Sequence, residues 1–174
     1  MRSLLFALSL TVAATVNANA NTDWERWLKQ PTAANAERVG AIEYAAALSE
    51  TEAGPRITRD LEALAKRVRS GQESALRLAF RLTDTTARGA NLEDLHEMLG
   101  AAVRPHARKL LLALKSTPKV HGCPGVDFLG PEYVDQPARQ REETVKRRAA
   151  LQSVVEPALA SERAKCLAAL KDDA

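Results

Sequence analysis

The chain has 174 residues, 25 basic against 22 acidic side chains, a hydrophobic share of 45% and an aromatic share of only 4%. These proportions fit a globular domain and exclude collagen, a disordered chain and a multi-span membrane protein. So few rings argue against a platform that stacks bases or sugars, and the near balance of charge argues against nucleic-acid binding.

Arg2, the apolar stretch Leu4 to Val16 and the small residues Ala18-Asn19-Ala20 form the pattern of an export signal. A spanning helix needs about 20 apolar residues, more than this stretch offers. The expectation is a cleaved signal over 1–20, a single all-α domain over 21–174, no membrane span after cleavage and a periplasmic or secreted protein. In an oxidising compartment the chain's two cysteines, Cys123 and Cys166, are expected to pair. The alternative, a redox or nucleophilic thiol, lacks a C-x-x-C arrangement.

Helical period runs through nearly every segment of the mature chain. Thr22 and Glu25 have capping-box spacing ahead of Trp24, Trp27 and Leu28, so a short helix is expected before Pro31, its tryptophans anchoring it to the body. Thr32 opens an element through about Ser49 with Val39, Ile42 and Ala46 on one face, closed by Gly54-Pro55. Ile57, Leu61, Leu64 and Val68 are spaced four, three and four, with Gly71 following as the C′ residue. Glu73 to Leu82 is apolar on more than one face, which predicts a central helix. After a polar connection at Asp84 to Gly89, Asn91 is placed as the N-cap of a helix carrying Leu92, Leu95, Met98, Leu99 and Val103. Pro105 is placed in the first turn of the next helix, which presents Leu110, Leu111, Leu112 and Leu114 and stops before Pro118.

Residues 117–137 then hold four of the eight prolines and three of the eight glycines. A loop of that length in a compact domain is usually functional or disordered, and Cys123 favours an ordered one. From Ala138 the helical period returns with Val145, Ala149, Leu151, Val154 and Val155, and Pro157 kinks this helix or begins another that carries Leu159, Cys166, Leu167 and Leu170. The fold class is all-α, an irregular helical bundle or HEAT-like stacked hairpins with one disulfide.

Sites of chemistry are not evident. His96-Glu97 begins the HExxH zinc pattern, but Gly100 stands where the second histidine belongs. His96, His106, His121 and Cys123 lack regular metal-ligand spacing, so no metal or cofactor is expected. Ser116-Thr117-Pro118-Lys119 matches Ser-x-x-Lys by letter alone. Glu93, Asp94 and Glu97 suit the start of a helix better than an acid–base pair, and no catalytic residue is assigned. The loop is different: Asp127, Glu132 and Asp135 interleave with Phe128 and Tyr133, a mixture suited to protein recognition. An alternative stays open, in which Phe128 and Tyr133 only pin the loop to the core.

With its signal ending Ala18-Asn19-Ala20, the helical segments Leu76-Arg77-Leu78-Ala79-Phe80 and Leu110 to Leu114, and the Cys123–Cys166 pair, the chain resembles the periplasmic immunity proteins that neutralise type VI secretion amidase effectors. The resemblance spans the mature chain in outline and transfers no toxin-binding residue. It implies a helical monomer or homodimer that plugs the active site of a secreted cell-wall amidase. Three functions follow as expectations: a non-enzymatic inhibitor or immunity protein against an envelope hydrolase, an envelope accessory or assembly protein that binds without inhibiting, and a small periplasmic enzyme.

Overall fold

The computed structural model describes residues 23–41, 54–84 and 90–170. The expected export signal, Thr22, the later part of the Thr32–Ser49 element with Ile42, Ala46 and Ser49, and residues 85–89 lie outside the described residues. Within them every regular element is helical: α1 (23–29), α2 (Ala33–Ala41), α3 (Gly54–Arg69), α4 (Glu73–Asp84), α5 (Ala90–Lys115), α6 (Pro137–Gln152) and α7 (Ala160–Ala169), with 3₁₀ turns at Pro131–Tyr133 and Pro157–Leu159. No helix among them is long and apolar enough to cross a membrane.

The core forms where the apolar periods predict it. Leu61, Leu64 and Val68 of α3 are buried, as are Ala75, Leu76, Leu78, Ala79, Phe80 and Leu82 of α4. An apolar face on several sides needs several neighbours, and α4 packs against α2, α3 and α5. Trp24 and Trp27 are buried too, and Arg67 of α3 lies 5.4 Å over the Trp27 ring while its guanidinium donates to Leu28 O at 2.8 Å. That single arginine fastens α1 to α3.

Ends and breaks follow local chemistry. Thr32 caps α2 by accepting the Asn35 N–H at 3.2 Å. Gly71, at φ +69°, closes α3: its N–H reaches Val68 O at 2.8 Å and that of Gln72 reaches Arg67 O at 3.1 Å, the paired bonds of a Schellman motif. Gly54 and Pro55 stand in the first turn of α3.

Two expectations need correction, and a third is refined. Asn91 is not a cap, because α5 already includes Ala90. The break expected at Pro105 is present one residue on: the run Ala90–Lys115, labelled α5 throughout, is two helical segments that meet at a kink, with non-helical geometry at His106 (φ −136°, ψ 29°). Proline removes one intrahelical bond and crowds the preceding turn, and here the resulting kink is docked, with the His106 Nε2–H donating to Arg69 O at 2.9 Å and the ring lying against Gly71. Finally, Val145, Ala149 and Val155 do not face the core; Val145 and Val155 are 65% and 78% exposed. The buried face of α6 is instead Glu143, Arg147 and Leu151.

Candidate functional site

Residues 116–136 leave α5 and return to α6, and their course is set by three kinds of anchor. First, α5 is ended by hydroxyls. Ser116 Oγ donates to Leu112 O at 2.9 Å, and the buried Thr117 Oγ1 bonds Ala113 O and Leu114 O at 3.0 and 2.9 Å. Pro118 then excludes further helix. Second, Val120, Cys123 and Val126 turn into the core, and Cys123 joins the buried Cys166 of α7 across a separation of 43 residues. The expected disulfide is present. Closing that many residues is worth about 4 kcal/mol on the chain-entropy model.

The third anchor is Arg147. Only 3% exposed, it pairs with Glu143 one turn earlier at 3.2 Å and donates through Nη1 to Val126 O at 3.0 Å and Phe128 O at 2.8 Å. Glu143, 7% exposed, also accepts from Arg104 of α5 at 3.0 Å. Breaking such a pair leaves an uncompensated buried charge, a cost of about 3–5 kcal/mol. The loop lies close enough to α5 that only glycines fit at the crossing. A Cβ on Gly100 would meet the carbonyl oxygens of Phe128 and Gly125 and the guanidinium of Arg147. Gly125, at φ +75°, lies equally close to the His96 backbone.

On this scaffold the five singled-out residues fall on one stretch with different exposures. Asp127, Glu132 and Asp135 are exposed, whereas Phe128 and Tyr133 are half-buried. Phe128 meets the His96 ring edge-on, centroids 6.1 Å apart. Burial holds the His96 imidazole below its usual 6.5, and the Asp127 carboxylate opposes that shift. Tyr133 closes the 3₁₀ turn, with the Arg139 guanidinium 5.4 Å over its ring and its carbonyl accepting from Gln140 Nε2 at 2.8 Å. Asp135 adopts a left-handed φ of 59°.

Between α5, this turn and α6 lies a cleft of about 170 Å³ bordered by Glu97, Arg104, Glu132, Tyr133, Glu143 and Arg147. On the other side of Arg104 a second depression of about 350 Å³ includes Arg108, Val154, Val155 and Glu156. There Arg108 pairs with Glu156 at 2.6 Å.

The histidines are separated in role. His96 underlies Phe128, His106 docks the α5 kink and His121 is exposed, while Cys123 is committed to the disulfide. No group of three or more metal-ligating side chains occurs among the described residues. Glu93, Asp94 and Glu97 all face solvent near the start of α5.

Sequence reasoning missed the Glu143–Arg147 clamp and the crossing at Gly100. The i,i+4 spacing of Glu143 and Arg147 was a visible signal, but it stands among other charges on a helix of weak apolar period. No protein-family model matches the chain, nor does any curated protein or solved structure.

Proposed function

We propose that the chain is a non-enzymatic, periplasmic or secreted protein-binding domain, an inhibitor or immunity protein directed at an envelope hydrolase of the amidase kind. The observation that supports this reading most is the clamped loop. A segment held by the Cys123–Cys166 bond and by Arg147 offers Asp127, Phe128, Glu132, Tyr133 and Asp135 in one fixed conformation. A partner then loses little by ordering it, which is how preorganised surfaces gain affinity. Half-exposed rings among carboxylates have the anchor-and-rim composition of binding hot spots.

The accessory reading uses the same surface and differs in outcome, not in geometry. To separate the two, the chain from Asn21 onward serves as bait under oxidising conditions in a periplasmic extract, and each captured protein is assayed alone and in complex. A stoichiometric hydrolase silenced in the complex supports inhibition; a partner with unchanged activity supports the accessory role. Phe128→Ala or Tyr133→Ala is expected to weaken that complex at least tenfold, about 1.4 kcal/mol, with a nearly unchanged thermal midpoint. A lowered midpoint with equal binding would make both residues core pins.

A further inference from the structure

We infer that Arg147 is the latch of a redox gate: while it holds the loop closed, thiols do not reach the Cys123–Cys166 bond, and its release lets a dithiol reduce the bond and free the loop. The inference concerns the chemistry of the loop itself and holds whether or not the loop binds a partner.

Thiol–disulfide exchange begins with a thiolate attacking one sulfur of the bond, so access governs its rate. Both ends are closed here, with Cys123 4% and Cys166 0% exposed. Cys166 belongs to the regular helix α7 and Cys123 to the loop, so local opening uncovers the Cys123 sulfur first. Few bonds resist that opening. Within 121–129 the backbone makes two turn bonds of its own, from Val126 N–H to Cys123 O at 3.5 Å and from Phe128 N–H to Gly125 O at 3.1 Å. Among the described residues, the only hydrogen bonds that join this stretch to a helix are those from Arg147 Nη1 to Val126 O and Phe128 O, three and five residues beyond Cys123. Glu143 fixes the same guanidinium through Nε at 3.2 Å. On the other flank His121 and Gly122 are exposed, and a Cβ on Gly122 would meet nothing within 4 Å, which leaves room for the stretch to swing outward. Opening therefore costs the two guanidinium bonds and the burial of Cys123 and Val126, and it leaves the core of α3 and α4 in place. A thiolate of the dithiol then bonds to Cys123 Sγ and Cys166 departs as a thiolate. The second thiolate of the dithiol displaces Cys123 and closes a cyclic disulfide, so the dithiol is oxidised and both cysteines end as thiols.

The test is reduction of the native, oxidised protein by dithiothreitol, followed by alkylation and mass spectrometry. The parent is expected to be reduced about a hundredfold more slowly than the same protein in denaturant. Arg147→Met is expected to speed reduction about tenfold. Arg147→Lys keeps a buried cation but must serve Glu143 and both carbonyls from a single nitrogen, so it is expected to speed reduction to a smaller extent while sparing the fold. Leu64→Ala, which weakens the protein through the core of α3, is expected to stay near the rate of the parent. In the reduced parent, hydrogen exchange is expected to quicken at residues 121–136 and to stay slow in α4. Reduction of the parent as fast as in denaturant, both arginine variants at the rate of the parent, equal acceleration by Leu64→Ala, or unchanged loop protection after reduction would overturn the inference.

Discussion

The helices α3, α4 and the first half of α5 hold together by apolar side chains, whereas the loop, α6 and α7 add directed bonds to a smaller set of buried apolar side chains. In the first region Leu64, Leu76, Phe80 and Leu99 are wholly buried among one another. In the second, cations reach across to backbone carbonyls: Arg147 to Val126 and Phe128, Arg148 to Leu170, Arg163 to Val154 and Lys115 to Ala158, beside the Cys123–Cys166 bond. Apolar burial is non-directional and suits regular helices that present a stripe. A loop has carbonyls that no ladder satisfies, so a buried guanidinium with five fixed donors serves it better. The contrast places conformational precision in the region with the weaker apolar period.

Substitutions can test that division. Phe80→Ala is expected to cost about 3–5 kcal/mol and to lower protection from hydrogen exchange throughout the fold. Arg147→Met is expected to cost a similar 3–5 kcal/mol but to act locally, exposing the amides of residues 120–136 first. The double substitution Glu143→Leu with Arg147→Met should recover part of that loss, because it also removes a buried carboxylate left with only the half-exposed Arg104 as its partner. If Arg147→Met instead loosened α3 and α4 equally, the two regions would be one cooperative unit.

Cys166→Ser comes next, with an expected loss of about 2–4 kcal/mol in chemical denaturation and a more mobile loop. Two free thiols by mass spectrometry in the native protein would remove the basis of that expectation. Gly100→Ala should cost about 1–3 kcal/mol, since its Cβ meets backbone carbonyls that cannot swing aside. Val145→Ala, on the exposed face of the same C-terminal region, is expected to stay within about 0.5 kcal/mol of the parent.

The smallest effect concerns pH. His96 is held below its usual 6.5 by burial, so the unfolded chain takes up the proton first as pH falls. Its contribution to stability is therefore complete above 6.5 and is lost as pH falls through the lower folded value. Thermal midpoints measured downward from neutral pH should decline less in His96→Gln than in the parent. Asp127→Asn should enlarge the decline, because Asp127 favours the charged imidazole.

Much of the first region was legible in the residues themselves. The stripe Leu61, Leu64, Val68, the many-sided apolar helix around Phe80 and the C′ glycine at Gly71 each express a local rule that their surroundings did not override. The C-terminal region was less so. Val145, Ala149 and Val155 offered apolar residues that the fold leaves outside, and Glu143 with Arg147 looked like surface charge but lies within. The candidate site divides in the same way. Its ordered loop and disulfide followed from composition and cysteine count, while the cleft lined by Glu97 and Glu132 joins residues 35 positions apart and has no local signature.

By itself the sequence determined the helical class, the end of α3, the central place of α4 and the pairing of two cysteines. Each depends on neighbours within a turn or on the absence of any other partner. Only the tertiary structure decided that Gly100 is a crossing point and that Arg147 is buried. Those outcomes depend on which distant backbone arrives opposite a residue, and a guanidinium is worth burying only where carbonyls and a carboxylate converge on it.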